Sequence, residues 1–528
     1  MERSTVPYAD TGHFRPIVLD HLAGSAGMAA FSTFPFSETG ISAAAAGRTF
    51  DAGARDILVQ ALEGQYAGLD PHPAARTSLD RLRDPRALTI TTGHQLCLFG
   101  GPRYVLYKIL NVIRLARQFH RDDRPVVPVF WMASEDHDLP EVDHVHLRDT
   151  RLHWSATGGG AVGRLPLKGI MDALHQAGDL LGVSPGASAL REDLQAAYRP
   201  EHTLAQATRH LMNALFGRYG LVVIDGDDPA LKRLFVPAMR EELLNQVVER
   251  TVRYADEKLP KGYGGQAHAR SVNLFHLRPG HRSRIEMDDE GYRVLDGGPR
   301  FSATEMVAEL ERAPQDFSPN VLFRPLYQET ILPNITYVGG GGEVAYWMQL
   351  RWAFQALQVP MPVVALRTSA LLIGPEEAIS LRDTGLTDND LFKPLEHLRT
   401  AWAKDHAGFD TELTDERGRL DAVFQEIIGR SAAIDPTLEA SAKGERIRLH
   451  KRLDHLEKRL LRAAKRREAV RIARIERIHA RLFPGGGLRE RREGFLTVIA
   501  DHGLEVIDDL LEALDPLEER FSVIRFPG

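Results

Sequence analysis

Five short apolar runs punctuate the first part of the chain: 88–92 (LTITT), 125–133 (PVVPVFWMA), 221–225 (LVVID), 334–338 (NITYV) and 362–366 (PVVAL). Most are rich in Val, Ile and Thr. They lack strict in-out alternation, which is the pattern of strands buried on both faces of a parallel sheet. The first runs into a glycine turn at 93–102 and then a helical pattern to about residue 119. The fourth runs into Gly339-Gly340-Gly341-Gly342-Glu343 and a helical pattern over about 344–357. Strand, glycine turn, helix, strand is thus repeated, and two such halves predict a doubly wound α/β sheet. Right-handed crossovers deliver the loops after 92 and 133 to one carboxyl edge, so both face the same crevice.

The stretches between the strands read differently. Residues 1–85 carry a helix around 51–64 and serve as a lead-in packed on the sheet. The glycine-rich stretch 147–181 predicts an irregular excursion, after which Leu204, Leu211, Met212, Leu215 and Phe216 share one helical face. A further helix follows the acidic turn Asp225-Gly226-Asp227-Asp228-Pro229 and runs to about Glu249. Alternation over 271–277 (SVNLFHL) predicts a half-exposed antiparallel strand within an inserted α+β element. The boundaries that follow are a core over 1–380, with insertions at roughly 147–215 and 230–330, a helical arm over 381–484, and a tail over 485–528 that packs back on the core.

In the arm, Leu449, Leu453, Leu456, Leu460, Ala463 and Val470 trace a heptad seam interrupted at Arg467. A preceding helix with Leu413, Leu420, Phe424 and Ile427 is separated from it by Ile434-Asp435-Pro436, which predicts an antiparallel coiled-coil hairpin. Its apolar positions are fewer than those of the seam, so a second copy of the hairpin is expected to complete the packing in a homodimer. The Lys and Arg residues over 443–481 lie mostly off the seam without aromatic neighbours, which makes them a solvated face rather than a nucleic-acid surface.

Composition narrows the classes further. The 528 residues are 43% hydrophobic and 26% charged, too many for one ordinary core and typical of a soluble protein. Lys and Arg total 66 against 72 Asp and Glu, so a net charge of -6 gives no general case for nucleic-acid binding. One cysteine, Cys97, excludes an internal disulfide and a multi-cysteine zinc site, and no apolar run suits a membrane span or signal segment. Cytoplasmic residence is the expectation.

Candidate chemistry gathers at the two loop sets. Gly93, Gly100 and Gly101 after the first strand, and Gly339 and Gly340 after the fourth, are either tight turns or cradles that aim helix N–H groups at an anion. Neither set fits the dinucleotide fingerprint or the lysine-bearing phosphate loop. His94 precedes a helix, where an imidazole either caps the chain or donates to developing negative charge. Glu135-Asp136-His137-Asp138, with Glu141, His144 and His146, suits polar substrate contacts; it lacks the cysteines or spaced histidine pair of common zinc sites, so no metal is expected. Asn334, Tyr337 and Glu343 flank the second glycine turn and are expected in the same crevice.

Six runs carry a resemblance: TTGHQLCLFGGPRYVLYKI (91–109), PVFWMASEDHDLPEVDH (128–144), GLVVIDGDDPALKRLF (220–235), KGYGGQAH (261–268), SPNVLFRPLYQETILPNITYVGGGGEVAYWMQL (318–350) and the terminal coiled coil. Together they resemble the bacillithiol biosynthesis cysteine-adding enzyme family over nearly the whole chain. Two positions depart from the family pattern: His94, where the family carries Gln, and Gly341, where it carries Pro. The resemblance implies a Rossmann-like core related to that of class I aminoacyl-tRNA synthetases, with connecting insertions and a coiled coil that pairs two subunits. It also implies amide formation between the carboxyl of L-cysteine and the amine of glucosaminyl malate, with ATP or another nucleotide activating the carboxyl. Carried over, Gly93, His94 and Gln95 with Gly100 and Gly101 would cradle phosphate, and Asp136, His137, Asp138 and Glu141 would hold the amine or the amino acid. A metal-dependent hydrolase of an amide-linked sugar, and a nucleotide-binding scaffold without turnover, are the competing expectations.

Overall fold

The computed structural model describes residues 1–263 and 265–527. Gly264, inside the KGYGGQAH run, and Gly528 lie outside the described residues. The chain divides into two compact units: Arg3–Leu371 with Leu488–Ser522, and Leu372–Gly487 with the residues from Val523 on.

A five-stranded parallel sheet forms the centre of the first unit. It comprises β1 (Leu88–His94), β2 (Val126–Met132), β3 (Val222–Asp225), β9 (Asn334–Gly339) and β10 (Val363–Leu366), in the order β10-β9-β1-β2-β3. β1 pairs in parallel with β2 on one side and β9 on the other, so the winding reverses between β1 and β9. That reversal is the switch point at whose carboxyl end open α/β sheets bind ligands. The apolar runs are buried because both faces are covered. Leu88, Ile90, Ile335, Val338, Val363 and Ala365 share a core cluster with Val112, Leu115 and Phe119 of α1 (Arg103–Phe119) and with Ile41 and Ala45 of the helix Glu38–Gly47. Ser37 starts that helix by accepting from the Gly40 N–H at 3.0 Å.

The insertion after β3 begins with α2 (Pro229–Asn245) and leads to an antiparallel sheet of β4 (Leu274–Arg278), β5 (His281–Asp288), β6 (Gly291–Val294), β7 (Arg300–Phe301) and β8 (Phe317–Pro319), in the order β7-β6-β5-β4-β8. Helices α3 (Arg324–Ile331) and α4 (Gly341–Gln349) then flank β9. The expectation of an irregular excursion over 147–181 needs correction: Thr150–His153 is a strand paired antiparallel to His144–Leu147, and Ile170–Leu181 is a helix. Ile170, Ala173, Leu174, Ala177 and Leu181 form its buried face, a helical spacing outweighed in the sequence reading by the nearby glycines.

In the second unit, α5 (Leu395–His406) precedes a hairpin of α6 (Thr414–Ile434) and α7 (Pro436–Arg467), followed by α8 (Ala469–Leu482). Asp435 caps α7 by accepting from the Thr437 N–H at 2.6 Å, with Pro436 in the first helical position. The helix breaks at Glu468, next to Arg467 where the heptad pattern faltered. The hairpin is held partly by charge: Arg417 reaches Asp454 at 2.7 Å and Glu457 at 2.8 Å, and His450 reaches Asp421 at 2.8 Å. Among the described residues no helix is long and apolar enough to cross a membrane.

Candidate active site

The end of β1 is locked from below. Lys108, in the middle of α1 and almost wholly buried, donates to the Gly93 carbonyl at 2.8 Å and ion-pairs with Glu343 of α4. Glu343 also accepts from the Gly340 N–H at 2.8 Å and from the Tyr337 hydroxyl. Burial would raise its carboxyl, but Lys108 outweighs this with help from the Tyr337 and Gly340 hydrogen bonds and holds it at about 2. Beside this pair, His94 Nε2 lies 3.2 Å from the Tyr104 hydroxyl and 3.6 Å from Cys97 Sγ. Burial and the Lys108 charge push its pKa down to about 3, so the imidazole is neutral. Burial pushes the Cys97 thiol up to about 12, which leaves it protonated and unreactive.

The end of β2 presents the acids. The Gln95 amide donates to Asp136 Oδ2 at 2.7 Å and to Glu141 Oε2 at 2.5 Å, holding two carboxylates side by side. Asp136 also accepts from the His137 N–H at 2.7 Å and lies 3.8 Å from Arg282 of β5. Burial raises the Asp136 carboxyl, and these donors together with Arg282 bring it below its ordinary value. Arg282 lies over the Phe275 ring at 3.9 Å and donates to the Pro319 carbonyl at 2.9 Å, so the inserted sheet carries it to the crevice in a fixed pose. Glu135 ion-pairs with buried Lys232 at 2.6 Å; Lys232 lies 3.1 Å from Asp227, which Arg164 engages at 2.6 Å and 2.7 Å. Burial pushes Glu135 above the usual carboxylate range, against the opposing pull of Lys232.

Between these ends lies a cavity of about 610 Å³, lined by Gly93, His94, Gln95, Glu135, Asp136, Tyr337, Glu343, the inserted-sheet residues Phe275, Arg282 and Arg284, and Arg324 and Arg367. Both signs line it: Glu135 and Asp136 stand with Arg282 at the β2 side, Lys108 and Arg367 stand with Glu343 toward β9 and β10, and Arg324 lies near Trp131 of β2 and Tyr337 of β9.

The structure gathers some of the expected residues and displaces others. Gly93, His94, Gln95, Asp136, Tyr337, Gly340 and Glu343 line the cavity; Glu141 joins them through Gln95. Gly100 and Gly101 do not line it. Both have positive φ (84° and 82°), and a side chain at Gly100 would meet the Phe495 ring at 2.6 Å, so this is a turn packed into the core rather than an anion cradle. Asn334 is buried at the amino-terminal start of β9, away from the carboxyl edge, accepting from the Thr91 hydroxyl at 2.9 Å and donating to Glu329 at 2.9 Å. Gly339 likewise lies behind the lining, its carbonyl taken by the Arg367 N–H at 2.8 Å. Asp138 is exposed away from the cavity, and His137 is exposed with its Nδ1 3.1 Å from Arg282. Glu135, expected as part of the acidic run, lines the cavity as well. Lys108, Arg282, Arg324 and Arg367 belong to the site but were not among the expected residues; these cations come from two helices, a strand and a loop whose local pattern marks only ordinary positions. Among the described residues no group of three or more His, Cys, Asp and Glu side chains has the geometry to hold a metal ion.

Fold and cavity together define a Rossmann-like α/β protein whose polar crevice sits at the switch point of the sheet. The chain belongs to the bacillithiol biosynthesis BshC family: residues 1–368 match its N-terminal Rossmann-like domain and residues 370–526 its C-terminal coiled-coil domain. It is 36% identical to the "Putative cysteine ligase BshC" of Flavobacterium johnsoniae, over 99% of this chain and 100% of that protein. It is 33% identical to the protein of the same name from Christiangramia forsetii, over 100% of this chain and 99% of the relative.

Proposed function

We propose that this chain is a cysteine ligase that joins the carboxyl of L-cysteine to the amine of glucosaminyl malate, at the expense of ATP or another nucleoside triphosphate. The observation that carries this reading is that one cavity offers groups of both charges: carboxylates such as Asp136 suit an ammonium group, and Arg324 and Arg367 suit carboxylate or phosphate. The nucleotide would supply the phosphoryl or adenylyl group that activates the cysteine carboxyl and leaves, as phosphate or AMP, when the amine attacks. The chain's own part is to orient the partners and take a proton. Asp136, held low by its donors, binds the substrate ammonium as an anion and is a poor base. Neutral His94, at about 3, is also a poor proton acceptor. Glu135, raised by burial and held at one oxygen by Lys232, takes the proton that the amine loses as it attacks the acyl carbon.

The protein works in this reading as a cytoplasmic homodimer joined through α6 and α7. Val423, Ile427 and Ile434 leave an exposed apolar stripe on α6, which supports the pairing. Incubation with glucosaminyl malate, L-cysteine and ATP, followed by mass spectrometry, should give the conjugate together with AMP or ADP. Release of cysteine from the conjugate, or nucleotide binding without product, would overturn the reading.

A further inference from the structure

Three cations converge where β9 and β10 end. Lys108 pairs with Glu343, and Arg367 pairs with Glu490 at 2.7 Å. Arg324 has no carboxylate partner among the described residues. It donates to the Gln328 side chain at 3.0 Å and lies over the Trp131 and Tyr337 rings at 5.9 Å and 5.8 Å. Arg324 is therefore the one of these three cations with no carboxylate at ion-pair distance among the described residues, feeling Glu343 and Glu329 only at longer range, in a mostly buried setting where a poorly matched charge is costly. The crowding is visible in Lys108, which burial pushes below the ordinary lysine value, with Arg367 and Arg324 adding to the push and Glu343 opposing it.

A second observation points to the same spot. Arg367 is 5% exposed, and its Nε has no hydrogen-bond acceptor among the described residues. That atom lies 3.7 Å from where a Cβ on Gly340 would stand, beside the start of α4. Gly341 and Gly342 begin α4 and line the cavity, and the N–H groups of a first helical turn have no partner within the helix. A side chain at Gly342 would meet nothing within 4 Å, so the space in front of this turn is open.

We infer that Arg324, Arg367 and the first turn of α4 form a site for one oxyanion of a substrate, a carboxylate or a phosphate, in which Arg324 is the residue that discriminates for negative charge. This rests on the ligase reading and deepens it. The planar guanidinium, near the Trp131 and Tyr337 rings, presents paired donors that a lysine cannot reproduce. The same oxyanion could belong to the malyl group or to the nucleotide.

The test titrates L-malate, inorganic phosphate and ATP separately into the full-length protein by calorimetry, alongside Arg324→Met, Arg324→Lys and Gly342→Asp. The wild type should bind at least one of the three, and Arg324→Met and Gly342→Asp should each weaken that binding by about tenfold or more, Arg324→Lys by less. Gly342→Asp should melt no lower than wild type, because an acid in the first turn of a helix is favourable, which separates lost binding from lost fold. Loss confined to malate assigns the site to the carboxylate, and loss confined to phosphate and ATP assigns it to the nucleotide. Wild type that binds none of the three, or variants that bind within about twofold of it, would overturn the inference. Conjugate formation by wild type with anion binding unchanged in the variants sinks the subsite alone. Arg324-dependent anion binding without conjugate formation sinks the ligase reading alone.

Discussion

Lys108 of α1 is ion-paired with Glu343 of α4, joining the helices that follow β1 and β9 across the switch point of the sheet. The pair also orders the chain around it, since Lys108 takes the Gly93 carbonyl and Glu343 takes the Gly340 N–H. Its stability contribution has a definite pH signature. Glu343 is depressed from an ordinary 4.5 to about 2, so the contribution is full above about pH 4.5 and is lost as pH falls through the folded value. Wild type should therefore exceed Glu343→Gln in stability at neutral pH, by about 2–4 kcal/mol once the uncompensated Lys108 is included. The gap should close between about pH 4.5 and 2. Denaturant titrations of both proteins across that range would show it; a gap independent of pH would mean the pair is not ionised.

Asp136 and Glu135 are adjacent in sequence yet should fail differently when neutralised. In the proposed reaction Asp136, positioned by Gln95 and the His137 N–H, binds the ammonium group, so Asp136→Asn should chiefly raise KM for the amine. Glu135→Gln should chiefly lower kcat, by about a hundredfold, and remove the acid limb of the rate profile. Steady-state kinetics from pH 5 to 9 would separate the two. Equal effects of both changes on KM and kcat would remove the division of labour.

Much of the core was legible in the sequence because β1, β2 and β9 are buried on both faces, and an uninterrupted apolar run has few other places to go. The acidic loop after β2 was legible for a related reason, as consecutive ionisable groups follow directly on a buried strand. The cations of the site were not. Arg282 meets His137 across 145 residues of sequence, through an inserted sheet whose docking no local pattern encodes. Lys108 sits in the middle of a helix with a strong apolar face, where a lysine ordinarily marks the solvent side. Gly100 and Gly101 misled for the opposite reason: two glycines before a helix look alike whether they approach a ligand or, as here, the Phe495 ring and the Cys97 side chain.

That distinction is itself testable at Gly100. A side chain there must adopt φ near 84° and displace an aromatic ring of the core. Gly100→Ala should cost about 2–4 kcal/mol from left-handed strain and overpacking together, while the protein that remains folded binds malate or ATP as wild type does. Thermal melts paired with calorimetry would check it. Weakened affinity at unchanged stability would return this turn to the binding site.

The last prediction is that the arm self-associates. Leu453 is half-buried within the hairpin, whereas Leu456, three residues on, is 45% exposed. Val423, Ile427 and Ile434 of α6 fall on one helical face at spacings of four and seven and are 54%, 41% and 78% exposed. The hairpin satisfies its inner positions with Arg417, Asp454 and Glu457 as much as with leucine, so its own two helices leave this outer stripe uncovered. Pairing with a second copy would bury side chains each contributing about 1.5–3 kcal/mol when fully covered. Charges on the outer stripe, Val423→Lys with Ile427→Glu, should then give a monomer with an intact fold and unchanged far-UV circular dichroism. Leu453→Ala should instead loosen the hairpin and lower its melting temperature while dimerisation weakens only modestly. Light scattering coupled to size exclusion distinguishes these outcomes: a wild-type mass of one chain at micromolar concentration, or a doubly charged variant that stays dimeric, would refute pairing through this face.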